Sequence, residues 1–138
     1  STHKPLLLFM NEEEGAALYR ALGGKPGPAV PEAELEDFLR EFCRGAPRSC
    51  IILKRGERGA LVFKGKAVVK AETQALYLKN AAGAGDAFAA GFLAGFLRRR
   101  TLEECAALGN RTAGTFLAAM PENRPRPRGY AEKPGTAN

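Results

Sequence analysis

Two short apolar runs constrain this chain more than anything else in it. Pro5 to Phe9 and Cys50 to Leu53 are too short for helices and carry no alternating polar face. Each therefore reads as a strand buried on both sides. Between them lie two helical segments. Asn11 is placed to cap a helix running to Leu22, with Glu12, Glu13 and Glu14 in its first turn and Gly23-Gly24 as its stop. Pro31 opens a second, in which Leu35, Phe38, Leu39 and Phe42 recur at helical spacing. Buried strands separated by helices point to a parallel-rich α/β sheet.

The rest of the chain elaborates that plan. Arg55 to Gly59 turns into Ala60–Phe63, and Lys64-Gly65-Lys66 turns again into Ala67–Val69, which predicts an inserted β-hairpin. Leu76–Leu78 reads as one more strand. Gly83-Ala84-Gly85-Asp86 then opens a helix carrying Phe88, Phe92, Leu93 and Phe96, closed by Arg98-Arg99-Arg100, which offset the negative end of its dipole. Thr101 and Glu104 form a capping box for a last helix to about Met120, and Pro121 stops it. The final eighteen residues hold four prolines and no aliphatic cluster. The expected division is a folded part over residues 1–120 and a disordered Pro/Arg tail over 121–138.

Cysteine, histidine and charge narrow the chemistry. The three cysteines, Cys43, Cys50 and Cys105, are odd in number and form no CxxC pair, which excludes a disulfide framework and a thiolate zinc site. They point to a reducing compartment, cytoplasmic, nuclear or an organelle matrix, rather than to secretion. His3 is the only histidine, so histidine triads and most histidine metal sites are excluded as well. No signal-peptide pattern opens the sequence, and the weakly polar stretch from Ala81 to Leu97 falls short of the ~20 apolar residues that a membrane span needs. The net charge of +6 is uneven: residues 11–41 carry three Lys/Arg against eight Asp/Glu, and residues 44–70 carry eight against one. Such blocks steer an anionic ligand such as a nucleotide, dock on nucleic acid, or are merely solvated faces on opposite sides of a domain. The Arg-Pro tail adds only weak support for nucleic acid.

The strongest chemical signal is Ala82-Gly83-Ala84-Gly85-Asp86-Ala87-Phe88, a small-residue turn feeding a long helix. Small residues let a phosphate approach the backbone, and the free N–H groups of a first helical turn bind anions. Asp86 in such a place either complements the helix dipole or serves as a positioned base for an attacking hydroxyl. No Gly-Lys-Ser/Thr follows, so this is not a Walker A loop.

The run Gly83-Ala84-Gly85-Asp86-Ala87-Phe88-Ala89-Ala90-Gly91-Phe92 resembles the C-terminal signature of the ribokinase-like (PfkB-type) kinases of sugars and nucleosides. Asn11-Glu12-Glu13-Glu14 resembles that family's Asn-x-x-Glu motif, and Leu53-Lys54-Arg55-Gly56-Glu57-Arg58-Gly59-Ala60 its segment beside the nucleotide. The three occur in the family's order across residues 5–120. The resemblance implies the C-terminal part of a three-layer α/β/α sandwich and transfer of the γ-phosphoryl of ATP, with Mg²⁺, to a hydroxymethyl group. It makes Asp86 the catalytic base and the amides of Ala84, Gly85 and Asp86 the anion hole. It gives Asn11 and Glu14 the organisation of Mg²⁺ through water. Gly56 and Gly83 fall to the nucleotide rim, and Asn110 near the adenine. Duller readings stand beside these: Asn11 and the glutamates as helix caps, Lys54 and Arg55 as solvated turn charges in preference to phosphate contacts, Gly91 and Gly95 as helix-packing positions.

The pattern also departs from the family. Asn80-Ala81 stand where relatives have Asp-Thr, and Ala118 to Asn123 replace a glycine-containing segment, which weakens an expected monovalent-cation site. Relatives are about twice as long, and the half that supplies the sugar pocket and lid has no counterpart here. A half-sheet leaves open edges and apolar faces, so the expected partner is an N-terminal half, a second copy or a larger assembly. Without one the chain is expected to be inactive. The alternative is a degenerate kinase fold retained as a structural subunit of an organellar or ribonucleoprotein assembly.

Overall fold

The computed structural model describes residues 6–24, 27, 29–72 and 83–123. Four strands, β1 (Leu7–Asn11), β2 (Cys50–Lys54), β3 (Ala60–Lys64) and β4 (Ala67–Ala71), form one sheet in the order β1-β2-β3-β4. Four helices accompany them: α1 (Glu12–Ala21), α2 (Glu32–Gly45), α3 (Ala84–Leu97) and α4 (Leu102–Ala119). β1 and β2 are parallel, with Leu7 opposite Cys50 and Asn11 opposite Lys54. β3 is antiparallel to β2, and β4 to β3. The sheet is therefore mixed and not parallel-rich. The connection from Lys54 to Ala60 is too short for a crossover, so β3 can only fold back along β2. The hairpin turns on Gly65 at φ 57°, a conformation that suits glycine.

Strand parity distributes the core. Cys50, Ile52, Ala60, Val62 and Ala71 pack with Phe88 and Phe92 of α3 and Cys105 and Ala106 of α4. Met10, Ile51, Leu53, Leu61 and Phe63 pack with Leu35, Leu39 and Cys43 of α2. Residues 50–53 are thus buried on both faces, as their unbroken apolar run requires. Phe9 meets Phe92 edge-to-face at 5.7 Å, which seats α3 on β1. On α3 the helical pattern misplaces Leu93, which is exposed; the helix is apolar nearly all round, and periodicity alone does not choose its inner side.

The helix ends follow their sequence signals. Asn11 and Glu14 make a full capping box on α1, and Thr101 and Glu104 another on α4. Gly23, at φ 93°, closes α1. Pro31 is the residue before α2 and not its first. Past α4, Pro121–Asn123 form a single 3₁₀ turn, and the Asn123 side-chain amide donates to Leu117 O at 3.0 Å. The tail reading from 124 onward, the strand expected at Leu76–Leu78 and the Asn80-Ala81 pair all lie outside the described residues.

α3 and α4 approach at backbone distance. A Cβ on Gly91 would lie 2.7 Å from Leu108 O, and one on Gly109 would lie 2.9 Å from Phe88 O. A Cβ on Gly95 would press on Cys105. Gly91 and Gly95 are packing positions.

Candidate active site

β1 and β2 run parallel and end together, which opens a crevice at their carboxyl ends. Asn11 closes β1 and Lys54 closes β2, as register partners. On β1, Leu7 and Phe9 face α3 and α4; on β2, Cys50 and Ile52 do the same. Side chains alternate along a strand, so positions 11 and 54 continue that face toward the start of α3.

That start is built for close approach. Gly83 sits at φ 82°, and a Cβ there would also meet the Phe116 ring of α4 at 2.9 Å. Helix α3 begins on Ala84, whose amide, with those of Gly85 and Asp86, has no partner inside the helix. Asp86 is exposed in this first turn. A Cβ added to Gly85 would lie 3.2 Å from Lys54 Nζ, so the ammonium rests against the bare glycine.

Asn11 and Glu14 are brought together, but by the cap. Asn11 Oδ1 accepts from the Glu14 amide at 2.8 Å, and Glu14 Oε1 accepts from the Asn11 amide at 2.9 Å. Gly56, at φ 59°, opens a 3₁₀ turn over Gly56–Arg58. Asn110 on α4 donates its side-chain amide to Glu72 O at 2.7 Å and so ties α4 to the end of β4. Among the described residues, neither Gly56 nor Asn110 hydrogen-bonds to the glycine turn.

The acidic and basic blocks of the sequence meet beside this crevice instead of facing apart. Arg58 bridges Glu32 at 2.5 Å and Glu12 at 2.6 Å, and Arg55 reaches Glu32 at 3.2 Å. Arg55 Nη2 also donates to Arg58 O at 2.9 Å. The turn after β2 is thereby fastened to the N-termini of α1 and α2. The hydrogen bond from Arg58 holds the Glu32 carboxyl below its ordinary value, assisted by Arg55 and opposed in part by desolvation. Sequence reading missed these pairs because nothing local signals a contact across 26 or 46 residues. It also read Lys54 as a turn charge, although counting 50, 52, 54 along β2 gives its direction.

A triphosphate suits the glycine turn: three amides without a partner inside the helix, a cation beside them, and a notch at Gly85 that any side chain would fill. The donor set for magnesium is thinner. Among the described residues no three His, Cys, Asp or Glu side chains cluster. The cap engages Asn11 Oδ1 and Glu14 Oε1, which leaves Glu14 Oε2 for a hydrated cation. No helix among these residues is long and apolar enough to cross a membrane.

The chain resembles known proteins in sequence and in fold. Residues 2–120 match the pfkB family carbohydrate kinase description. The chain is 47% identical over 116 residues to the cytidine kinase of Thermococcus kodakarensis, covering 80% of this chain and 36% of that protein. It is 34% identical over 120 residues to the 1-phosphofructokinase of Bacillus subtilis, covering 86% and 37%. The solved adenosine kinase of Sinorhizobium meliloti superposes with a TM-score of 0.65 at 30% identity, over 83% of this chain and 32% of that one. The chain thus spans about one third of the length of the relatives it matches. With the glycine turn, the strand pair and the match over residues 2–120 in agreement, the chain belongs to the pfkB family of carbohydrate kinases.

Proposed function

We propose that this chain is the nucleotide-binding and catalytic-base lobe of an ATP-dependent kinase that phosphorylates a hydroxymethyl group of a sugar or nucleoside. The observation that carries this reading is Asp86, exposed in the first turn of a helix whose opening amides have no partner inside the helix and whose entry, Gly83, has no side chain. Asp86 takes the proton of the attacking hydroxyl as a positioned base. The amides of Ala84, Gly85 and Asp86 hold the charge that builds on the transferring oxygens. Glu14, through Oε2, is the residue of this chain suited to a hydrated magnesium ion. Bound Mg-ATP would supply the phosphoryl group and the neutralising charge. In this reading Gly56 and Asn110 would line the nucleotide, Asn110 while it also holds Glu72 at the end of β4. The acceptor pocket comes from outside these residues: an N-terminal half, a second copy or a larger assembly.

The names of the relatives include two nucleoside kinases and one sugar-phosphate kinase, and support an acceptor of that class. The test is Asp86→Asn in the intact protein with its partner. Turnover is expected to fall at least ~10²-fold, the scale of a lost general base, while ATP affinity and melting temperature stay close to wild type. Undiminished turnover would remove Asp86 from the reaction. A second reading, a kinase fold kept as a structural subunit, is favoured by the capping box that engages Asn11 and Glu14. It predicts that Mg-ATP does not bind at all.

A further inference from the structure

We propose that the end of the sheet opposite the crevice carries a second ligand site, one that takes a small organic phosphate with an apolar or aromatic body. This site stands whether or not the chain is a kinase lobe. β3 ends at Lys64, paired with Cys50 at the start of β2, whereas Lys54 and Ala60 pair at the crevice end. Counting 60, 62, 64 along β3 puts Lys64 on the face packed by α3 and α4. There, beside the turn joining those helices, lies an open depression of about 510 Å³, a size usual for small-molecule sites. Phe96, Leu97 and Leu102 supply its apolar lining, and Lys64, Arg99 and Arg100 supply three cations. None of the three makes an ion pair among the described residues, although Glu103 and Glu104 follow closely in the chain.

The backbone at the lip of this depression is unusual. α3 ends in a Schellman turn, in which Arg99 N donates to Phe96 O at 3.1 Å and Arg100 N to Gly95 O at 3.0 Å. Glycine is the usual occupant of the left-handed place in such a turn; here it is Arg99, at φ 57°. Among the described residues no other non-glycine has a positive φ. The helix dipole does not require it, because Arg98, at φ −88°, already puts a cation at that end. Strain kept at the edge of a cavity points to use of the side chain that bears it. Two guanidinium forks and an ammonium suit a dianion with several free oxygens better than a singly charged carboxylate. The apolar lining, with Leu97 73% exposed at its rim, calls for a carbon body that inorganic phosphate lacks. A nucleic-acid strand fits less well, since it needs cations strung along a track, whereas these three converge on one hollow.

Calorimetry on the intact protein measures the binding of phenyl phosphate, inorganic phosphate and a short oligouridylate to wild type, Arg99→Gly and Lys64→Met. Arg99→Gly is the decisive variant, because glycine is at ease in the left-handed place. Its melting temperature is expected to rise by a few degrees. Its affinity for phenyl phosphate is expected to fall about 10–100-fold, the worth of one charge-assisted hydrogen bond. Lys64→Met should show the same fall, and wild type should bind phenyl phosphate about 10-fold more tightly than inorganic phosphate. A lower melting temperature for Arg99→Gly would make Arg99 a structural residue and overturn the proposal. So would unaltered phenyl phosphate affinity in either variant, equal affinities for the two phosphates, or a wild type that binds neither. Tighter binding of the oligouridylate, lost in the same variants, would make this end a nucleic-acid surface and overturn it as well.

Discussion

The seam between α3 and α4 can be tested by one substitution made at two places. Gly91→Ala and Gly114→Ala each put a methyl group into a helix interior, where alanine exceeds glycine by about 1 kcal/mol. At Gly114, which is exposed, the new Cβ meets nothing within 4 Å, so the full gain is expected. At Gly91 it would meet Thr112 Oγ1, Leu108 O at 2.7 Å and Thr112 Cβ at 2.8 Å. The carbonyl belongs to a helix backbone and cannot step aside. Thr112 is itself pinned, because its hydroxyl donates to Leu108 O at 2.7 Å. Overpacking of this kind costs ~1–3 kcal/mol, and displacing the threonine forfeits a hydrogen bond worth about 1 kcal/mol. Gly91→Ala is therefore expected to destabilise by about 1–3 kcal/mol net, against a stabilisation of about 1 kcal/mol at Gly114. Urea unfolding of the intact protein, followed by far-ultraviolet circular dichroism, measures both. Equal stabilisation at the two positions would refute the backbone-distance seam and, with it, the fixed seat of the turn at Gly83.

Two further outcomes follow from the titratable groups. Because Arg58 holds the Glu32 carboxyl below 4.5 in the folded protein, that group stabilises fully above its ordinary value. The contribution is lost as pH falls through the depressed folded value. Glu32→Gln should flatten the acid limb of stability against pH below about 4.5, and an unchanged limb would count against the ion pairs. Cys43, Cys50 and Cys105 are buried, and desolvation pushes all three thiols up, Cys50 to about 12. A thiol reagent at pH 8 should leave them unmodified until denaturant is added; labelling of the native protein at the denatured rate would contradict their burial.

Where a feature is local, the sequence carried it. Both capping boxes, the hairpin at Gly65 and the glycine entry to α3 depend on residues within a few positions of each other, and each is found where its signature lies. β2 was legible as a buried strand because nothing polar interrupts 50–53, whereas β1, at the edge of the sheet and running Leu7–Asn11, is only half-buried at Leu7, Leu8 and Phe9 and buried at Met10 alone. What stayed hidden was set by tertiary contact. The direction of β3 depends on how little chain separates it from β2. The inward side of α3 depends on Phe9 and Cys105, which no periodicity in 84–97 encodes. The joining of Glu12, Glu32, Arg55 and Arg58 brings three separate elements together. At the site, the place of Asp86 in the first turn of α3 was readable from the turn alone. The contact of Lys54 with Gly85 was not, because it joins two separate elements.

The register that pairs Asn11 with Lys54 has a consequence for how this part of the chain tolerates insertions and deletions. Their relative position is set by the ladder, whatever the length of chain between the strands, so lengthening the stretch between the helices leaves the crevice unchanged. One residue added inside β1 or β2 is different. It reverses the parity of every later side chain on that strand, trading core for crevice at each step. Related chains that keep this chemistry should therefore vary freely in length between α1 and α2, and hardly at all within the two parallel strands.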